Sequence, residues 1–574
     1  MHELHKKTKA RFKYALRFIT KNEKQLRKEA LAKKLTDLNP NAFWKEIKLM
    51  NNSATPLPVN IDGVNGNEAI AELWKKHFRD ILNCLRNNSE MTGSIDNSST
   101  AYDDVYVTEE EVESAIKDLE SKKSCGADGI YAEHLKYASR HLLKLLSCCL
   151  TCLFVHGILP DSMISVILVP VIKNKAGKIT SKDNYRPIAL ASLVSKVVEI
   201  IILHRLSGYL LTNPNQFGFK KKLGTDQCIY VLKEIIDMYR VLNGSVFICF
   251  LDASKAFDRV NHSLLFDKLL KRGVPGYIVR LLVFWYTNQK MCVRWGNVYS
   301  DYFGVSNGVR QGGILSPFLF NLYMDDLSDR LNKLKIGCCI NGIVVNHIMY
   351  ADDLVLIAPS VAGMNKILKL CEGFGSQHDI KYNPTKSCSM SFRSKLLKGV
   401  TLPKFVLNGE YIDEVEQSKY LGHIFTNDLT DNADIARQCR QLYAQGNMIL
   451  RKFHMCTPDV KLTLFRTYCT PMYTSQLWWS YRKATINKLY TSYHNILKMF
   501  LGLSKFESTS MLCTYVNVQC CQSVIRSLVY RFLIRLDSSD NVLVQSILRS
   551  SLNFVSRIRV HWMNMLYTTN FTSY

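Results

Sequence analysis

Three aspartates at the ends of apolar segments are the residues of this sequence best suited to chemistry. Asp252 ends the run SVFICFLD, and Asp352 and Asp353 interrupt HIMYADDLVLIA where it reads as a strand, a turn and a second strand. Adjacent carboxylates in apolar surroundings repel each other and lose hydration, so they need compensating positive charge. If the segments are neighbours in one sheet, the carboxylates converge and could bind two Mg²⁺ ions about 3.5–4 Å apart, which would serve phosphoryl transfer. Because Asp is also common in turns, the pair alone is weak evidence for catalysis.

The elements that must position these aspartates can be predicted from hydrophobic patterns and helix caps. The continuous apolar run before Asp252 is typical of a central strand covered on both faces. A helix is expected to begin near Asn261, and Thr108 with Glu111 predicts a capping box at an earlier helix. Strands and helices alternate up to about residue 425, and helical patterns dominate thereafter.

The charge of the chain points to a polyanionic partner. The formal net charge is +25, which favours nucleic acid over an acidic membrane, although solubility alone is an alternative explanation. Residues 1–34 hold twelve Lys or Arg against three Glu and predict a basic amphipathic helix or helix pair. This face either follows a phosphate backbone or is simply solvated. The polar run NNSEMTGSIDNSST predicts a linker that ends near residue 104.

The cellular compartment is suggested by what the chain lacks at its N-terminus and by its cysteines. The N-terminus is charged and has no apolar core of a signal peptide. The longest apolar stretch, LLKLLSCCLTCLFVHGIL, contains Lys144 and His156 and is better explained as a buried helix than as a membrane span. The eighteen cysteines show no regular framework, which suits free thiols. We therefore expect an intracellular protein that is not secreted and binds no membrane.

A series of motifs surrounds the aspartates. In chain order they are SKKSCGADGIYAEHLKYA, KDNYRPIALASLVSKVVEIII, QFGFKKKLGT, FLDASKAFDRVNH, NGVRQGGILSPFLFNLYMDD, MYADDL, NPTKS and KYLGHIF. Through them the chain resembles the reverse transcriptases of LINE-type, non-LTR retrotransposons of the jockey-like kind. Such elements usually encode an endonuclease domain upstream, and the start of this chain resembles the segment that follows that domain. We therefore expect a chain that lacks the endonuclease.

The resemblance implies an α+β fold of the right-hand polymerase type. Fingers and a ferredoxin-like palm are expected over residues 105–425. A helical thumb and C-terminal region would follow over residues 426–574, and a basic helical extension with a linker would precede the palm over residues 1–104.

The resemblance also assigns roles in catalysis. Asp252 and Asp352 would be the metal-binding carboxylates, with Asp353 as a supporting ligand for two Mg²⁺ ions. Lys386, in NPTKS, would protonate the departing pyrophosphate, which requires a lysine held near the phosphates. A surface lysine without a role is the alternative for Lys386.

Further residues would bind the incoming nucleotide. The aromatic ring of Phe257 would lie under the sugar so that a 2′-hydroxyl clashes. Gln311 and Gly312 would lie beside the nascent base pair. Lys173 and Arg186, on the part that resembles the fingers, would bind the triphosphate, for which the Arg fork is well suited.

The implied partners are an RNA template, a DNA primer or target and deoxynucleoside triphosphates. The implied location is the nucleus, with a ribonucleoprotein in the cytoplasm. Two alternatives stay open: a catalytically inert nucleic-acid-binding remnant, and an RNA-dependent RNA polymerase. Asp252 and Asp258 resemble the paired acids of viral RNA polymerases, but Phe257 between them favours DNA synthesis.

Two other groups look like sites but are predicted to be structural. Asp325 and Asp326 follow apolar residues at helical spacing and are expected on a polar helix face. Cys149 and Cys152 with His156 make half a zinc site, and buried thiols are the expected explanation. Which of the cations in GFKKK contacts nucleotide or template stays open, because many relatives have an Arg-rich sequence there.

Overall fold

The chain forms two compact units in this computed structural model. It describes residues 2–37, 40–51, 57–84, 105–175, 177–394, 399, 403–550 and 556–567. The larger unit comprises residues 57–415 and 539–550, and the smaller unit comprises residues 1–56, 416–538 and 551–574. The predicted linker NNSEMTGSIDNSST lies outside the described residues. The domain boundaries predicted near residues 104 and 425 rest on sequence composition and motifs, whereas the two units are defined by compactness. These boundaries therefore stay a prediction.

Helices make up most of the regular structure in the described residues. They are α1 (His2–Thr36), α2 (Pro40–Asn51), α3 (Asn67–Leu82), α4 (Glu109–Asp118), α5 (Ala132–Lys136), α6 (Arg140–His156), α7 (Asp161–Ile164), α8 (Leu193–Arg205), α9 (Thr225–Val241), α10 (His262–Lys271), α11 (Gly276–Asn288), α12 (Ser316–Lys333), α13 (Val361–Gln377), α14 (Asn432–Phe453), α15 (Pro458–Tyr468), α16 (Lys483–Leu501), α17 (Thr509–Tyr515), α18 (Cys521–Asp537), α19 (Val542–Arg549) and α20 (Arg557–Tyr567). None of the helices described here combines the length and apolar character that a membrane crossing requires.

The strands are mostly short. They are β1 (Asn60–Ile61), β2 (Val64–Asn65), β3 (Ser165–Ile172), β4 (Tyr185–Leu190), β5 (Val246–Leu251), β6 (Lys290–Trp295), β7 (Val298–Tyr299), β8 (Phe303–Gly304), β9 (Cys338–Ile340), β10 (Ile343–Val345), β11 (His347–Tyr350), β12 (Asp353–Ala358), β13 (Cys388–Phe392), β14 (Val406–Leu407), β15 (Glu410–Tyr411), β16 (Asp413–Glu414), β17 (Gln417–Tyr420) and β18 (His423–Thr426).

Two sheets organise the larger unit. The central sheet has the strand order β11-β12-β5-β13-β16, and all its pairings are antiparallel except that of β13 with β16. β5 lies in the middle and its residues are largely buried, as its continuous apolar sequence predicts. The second sheet has the order β4-β3-β6-β7, with β8 also pairing with β6. The β3–β4 hairpin of this sheet carries the residues that resemble the fingers.

Each sheet of the larger unit has its own hydrophobic core. One core includes residues of the central sheet and of α8, α10, α11 and α12, with Leu319 and Trp285 fully buried in it. The other core packs α3 against the second sheet through Trp74, Phe78 and Trp295. Burying a large aromatic side chain removes much apolar surface from water, so these clusters stabilise both sheets.

The predicted helix caps are present. The Thr108 hydroxyl accepts a hydrogen bond from the backbone N–H of Glu111 (3.2 Å), and the Glu111 carboxylate accepts one from the N–H of Thr108 (3.1 Å). The side-chain oxygen of Asn261 accepts from the N–H of Leu264 (3.3 Å) at the start of α10. The segment predicted as one or two helices at residues 1–34 is, over its described residues from His2 onward, part of the single helix α1, on which Phe12 is exposed.

In the part of the smaller unit that the structure describes, the regular elements are helices and one hairpin. β17 and β18 contain most of the motif KYLGHIF, with Tyr420 paired to His423. His423 is buried, and its Nδ1 lies 3.2 Å from a carboxylate oxygen of Asp434 on α14. The same carboxylate accepts a hydrogen bond from the indole of Trp478 (2.8 Å). This buried polar network fixes the hairpin to α14.

Two predictions about structural residues were wrong. Asp325, expected on a polar helix face, is only 5% exposed, since it accepts a hydrogen bond from the N–H of Asn213 and pairs with Arg272. Cys149 and Cys152, expected as buried thiols, are exposed, because α6 buries its opposite side. In both cases tertiary packing rather than local pattern decides which side of the helix is covered.

Candidate active site

The hairpin of β11 and β12 carries Asp352 at its tip. Tyr350 pairs with Asp353, so that Ala351 and Asp352 alone form the turn. Two-residue hairpin turns need a residue with positive φ, and Ala351 supplies it with φ of 58°. The tight turn places both aspartates at the end of the central sheet.

Asp252 reaches the same end from the neighbouring strand. β12 and β5 are antiparallel, and their last pair is Leu354 with Leu251. The next residues, Asp353 and Asp252, therefore stand opposite each other. The backbone N–H of Asp252 donates a hydrogen bond to the hydroxyl of Ser387 (3.1 Å), which fixes the strand end. The two aspartate-bearing segments are thus neighbours in one sheet, as the sequence predicts.

A cleft of about 950 Å³ opens at this end of the sheet. Eight of the nine residues to which the sequence gives a role line it: Lys173, Arg186, Asp252, Phe257, Gln311, Gly312, Asp352 and Lys386. Asp353 is not among the lining residues, although it lies next to Asp352. The residues come from both sheets and from the loops that precede α12 and β13.

Asp352 and Asp353 both have raised pKa values. Burial raises the pKa of Asp353 to about 6, and the negative charges of Asp352 and Asp252 add to the increase. Burial also raises the pKa of Asp352, and the charge of Asp252 contributes in the same direction. Arg186 opposes both shifts without cancelling them. Carboxylates whose ionised forms are disfavoured in this way are suited to bind cations.

Lys173, one of the cations that line the cleft, has a lowered pKa. Burial lowers the pKa of Lys173, and the positive charges of Arg186, Lys255 and Lys386 lower it further. The ammonium group of Lys173 donates a hydrogen bond to the backbone carbonyl of Asp183 (3.1 Å), which holds it beside the β3–β4 hairpin. Several cations that repel each other form a site for a ligand with several negative charges.

Phe257 forms a rigid wall of the cleft. Its ring stacks on Phe320 with centroids 4.2 Å apart and planes at 12°. The ring of Phe219 meets it edge-on at 6.3 Å. Stacking of this kind is favourable for aromatic rings and leaves little rotameric freedom. The ring can therefore act as a fixed steric barrier.

Gln311 and Gly312 lie in the loop before α12 and are held from two sides. The side-chain amide of Gln311 donates a hydrogen bond to the carboxylate of Asp258 (2.8 Å), and the backbone carbonyl of Gln311 accepts one from the N–H of Ala189 (2.8 Å). Gly312 has φ of 110°, and a Cβ at that position would lie 3.1 Å from the carbonyl oxygen of Ala189. The position thus requires glycine for both conformation and space.

Several lining residues were given no role from the sequence. Lys255 and Arg310 lie inside quoted motifs, so proximity to Asp252 and Gln311 along the chain was a usable signal. His77, on α3, also lines the cleft, and nothing in its local sequence indicates that position. Arg310 is buried and pairs with Glu199.

In the motif GFKKK, the structure gives a place to Lys220 and to Phe219. Lys220 donates hydrogen bonds to the backbone carbonyls of Thr212 (2.9 Å) and Asn213 (2.7 Å), and burial lowers its pKa to about 8. Its ammonium group therefore stabilises a loop. Phe219, directly before it, is the residue of this motif that lines the cleft.

The cleft offers few protein ligands for a divalent metal. Within the described ranges, no three His, Cys, Asp or Glu side chains come close enough to make a complete site. Mg²⁺ commonly binds through one or two carboxylates while waters and substrate phosphates fill the remaining positions. Asp252 and Asp352 both line the cleft and supply hard oxygen ligands, so they fit that mode of binding.

Comparison with known proteins gives this geometry its context. Residues 172–425 match the family model described as reverse transcriptase (RNA-dependent DNA polymerase). This segment contains all nine assigned site residues. Residues 172–425 form a reverse transcriptase domain. The mixed helices and sheets of the described residues agree with a right-hand polymerase fold of the α+β class.

The relatives are proteins of non-LTR retrotransposons. The chain is 26% identical over 460 residues to the probable RNA-directed DNA polymerase from transposon BS of Drosophila melanogaster, covering 76% of this chain and 49% of the relative. It is 23% identical over 473 residues to the RNA-directed DNA polymerase from mobile element jockey of Drosophila funebris, with the same coverage of 76% and 49%. The chain thus spans about half the length of these relatives.

A solved structure also aligns with the chain. The apo telomerase from Candida tropicalis, truncated from its C-terminal domain, aligns with 53% of this chain and 61% of its own, with a TM-score of 0.34 and 12% identity. A likeness this low does not by itself establish a shared fold.

Proposed function

We propose that the chain is an RNA-directed DNA polymerase that extends a DNA 3′ end along an RNA template. The observation that carries the proposal is the cleft, which is lined by the carboxylates of Asp252 and Asp352 together with the cations Lys173, Arg186 and Lys386. A nucleoside triphosphate with its counterions needs this pairing of acidic and basic groups. The reverse transcriptase domain supplies the reaction class.

In this proposal the primer 3′-oxygen forms a bond to the α-phosphorus of a deoxynucleoside triphosphate, and the bond to pyrophosphate breaks. Asp252 and Asp352, with support from Asp353, would hold two Mg²⁺ ions, whose charge would supply activation of the hydroxyl and stabilisation of the leaving oxygen. Lys173 and Arg186 bind the phosphates, and Lys386 gives a proton to the departing pyrophosphate. The hydroxyl proton passes to solvent.

Phe257 and Gln311 select and orient the nucleotide. A rigid ring under the sugar leaves no room for a 2′-hydroxyl, so it rejects ribonucleotides by collision rather than by weaker attraction. Gln311 and Gly312 bring the backbone close to the nascent base pair. This assignment favours DNA synthesis over the alternative RNA-dependent RNA polymerase.

The biological setting is part of the proposal. The relatives are named as RNA-directed DNA polymerases of a transposon and of a mobile element, which supports a template that is the RNA of the element itself. A nicked DNA end is the primer that the family resemblance implies. Copying at a chromosomal nick places the reaction in the nucleus, and the ribonucleoprotein would assemble in the cytoplasm. A net charge of +25 supports tight, salt-dependent binding to the nucleic acids.

The test is primer extension by the purified full chain on RNA with Mg²⁺, with deoxynucleotides and ribonucleotides offered separately. We expect incorporation of deoxynucleotides only, and loss of incorporation in Asp352→Asn. Asp301→Asn is the matched control, because the Asp301 side chain is 90% exposed on the surface. If RNA binds but neither nucleotide is incorporated, the chain is an RNA-binding remnant and the proposal is wrong.

A further inference from the structure

A short segment of the chain runs along the outer edge of the hairpin that carries Asp352. β11 is the edge strand of the central sheet. The N–H of Met349 donates to the carbonyl of Asn215 (2.8 Å), and the N–H of Phe217 donates to the carbonyl of Met349 (2.8 Å). Gln216 and Met349 form an isolated parallel bridge. The segment therefore covers an edge that would otherwise present unpaired backbone groups.

The side chain of Gln216 turns from this edge to the tip of the hairpin. Its carbonyl oxygen accepts hydrogen bonds from the N–H of Ala351 (2.9 Å) and of Gly218 (2.9 Å). Its amide nitrogen donates to the carbonyl of Ala351 (3.3 Å). Gln216 is 2% exposed, so these bonds are made away from water. Hydrogen bonds in such surroundings are strong, and leaving one unmade is unfavourable.

Ala351 is the residue that most needs this support. Its φ of 58° lies in the left-handed region, which is unfavourable for a residue with a Cβ. It directly precedes Asp352, so rotation of its peptide redirects the carboxylate. Gln216 holds both the N–H and the carbonyl of Ala351, and so fixes the two peptides that flank this residue.

Gly218 allows the close approach of the two segments. A Cβ at position 218 would lie 2.4 Å from the backbone nitrogen of Ala351. Even alanine would therefore push the turn away from the segment. The amide of Asn215 adds a further bond at the other end of β11, where it donates to the carbonyl of His347 (2.7 Å).

We propose that Gln216 and Gly218 form a clamp on the peptides of Ala351 that sets the direction of the Asp352 carboxylate. We call this pair the Gln216–Gly218 clamp. The inference rests on the proposed function, since it concerns the same cleft. Gln216 does not line the cleft and touches no reacting atom, so it is a positioning residue. Loss of such support typically lowers activity about 10- to 100-fold, and a misplacement of about 1 Å can cost 100-fold.

The kinetic test uses Gln216→Met, which keeps the length of the side chain and removes its polar group, and Gly218→Ala. We expect kcat to fall about 10- to 100-fold, while the KM for deoxynucleotide and the affinity for a primer–template duplex change less than about threefold. Gln289→Met controls for loss of another buried glutamine, which is 3% exposed. Gly208→Ala controls for an added methyl group, since nothing lies within 4 Å of a Cβ there. Both controls should keep the wild-type kcat.

A second readout does not depend on turnover. Amide hydrogen exchange in the full chain should show protection of Ala351 and Gly218, whose N–H groups donate to the Gln216 side chain. Gln216→Met should accelerate their exchange at least about tenfold without changing exchange in β5. Because this measurement needs only Gln216→Met, it still tests the proposal if Gly218→Ala does not fold.

The outcomes separate the two proposals. If Gln216→Met keeps kcat and exchange within about threefold of wild type, the clamp is overturned. A parallel fall of kcat in Gln289→Met would also overturn it, because the effect would then be general destabilisation. If the wild-type chain incorporates no nucleotide and exchange still changes at Ala351, the proposed function fails while the clamp stands.

Discussion

The side-chain amide of Gln311 donates a 2.8 Å hydrogen bond to the buried carboxylate of Asp258. The backbone carbonyl of Asp258 in turn accepts from the amide of Asn307 (2.6 Å). Hydrogen bonds to both the side chain and the backbone of Asp258 therefore connect the two cleft-lining segments, one after β5 and one before α12. The side-chain nitrogen of Gln311 donates to Asp258, and this bond sets the rotamer of Gln311 in the cleft. Asp258 itself is only 5% exposed.

Asp258 should make stability depend on pH. Burial raises its pKa from 3.8 to about 6, so the folded state holds its proton more tightly than the unfolded state. Its stabilising contribution is complete below about pH 4 and is lost as pH rises to about 6. Asp258→Asn, which keeps an oxygen for Gln311, should abolish this dependence and raise the free energy of unfolding at pH 7 by up to about 3 kcal/mol.

Denaturant unfolding between pH 4 and pH 8 checks this prediction. Asp301→Asn, on the surface, serves as the control. Equal pH slopes for wild type and Asp258→Asn would show that Asp258 titrates normally.

Phe257→Val should relax sugar discrimination. The ring is fixed by stacking on Phe320, and a smaller side chain opens space below the sugar. We expect the ratio of kcat/KM for deoxynucleotide over ribonucleotide to fall at least about tenfold, mainly because ribonucleotide is better accepted. Single-nucleotide incorporation measures this ratio, with the exposed Tyr411→Val as control. Unchanged rejection of ribonucleotides would show that Phe257 does not exclude the 2′-hydroxyl.

Lys386→Ala should slow chemistry more than binding. Proton transfer by a positioned group contributes about 10²- to 10⁴-fold, so kcat should fall within that range while the KM for deoxynucleotide changes little. Lys386→Arg should keep the charge but donate its proton poorly, and should therefore stay slow. Lys381→Ala tests a neighbouring exposed lysine outside the cleft and should leave kcat unchanged. Full activity of Lys386→Arg would show that only charge matters.

Arg186 and Lys173 should act on nucleotide affinity. Their cluster is strained by mutual repulsion, which a bound triphosphate relieves. Arg186→Ala should raise the KM for deoxynucleotide at least about tenfold, and Arg186→Lys should restore it only in part, because lysine cannot form the paired hydrogen bonds of a guanidinium. Steady-state kinetics with Lys178→Ala as control measures this. An unchanged KM in Arg186→Ala would place the phosphates elsewhere.

Much of the site could be predicted from the sequence because its parts are local. The apolar run before Asp252 and the turn at Asp352 are each determined by adjacent residues, and the motifs fix their order. Eight of the nine assigned residues line one cleft.

The rest depended on contacts between distant segments. His77 lines the cleft because α3 packs on the second sheet through Trp74, and no local pattern reports such packing. Asp325 looked like a surface acid, but Arg272, 53 residues away along the chain, pairs with it. Gln216 and Ala351 are 135 residues apart. The pattern of one segment cannot show what another will cover.

The most direct test of the account is single-turnover incorporation of one deoxynucleotide onto a DNA primer paired with RNA. Asp252→Asn and Asp352→Asn should each lose at least about 10³-fold in rate while binding the duplex normally. Asp353→Asn should lose less, since Asp353 does not line the cleft, and Asp301→Asn should match wild type. If Asp252→Asn or Asp352→Asn retains its rate within about tenfold of wild type, the cleft is not the polymerase active site.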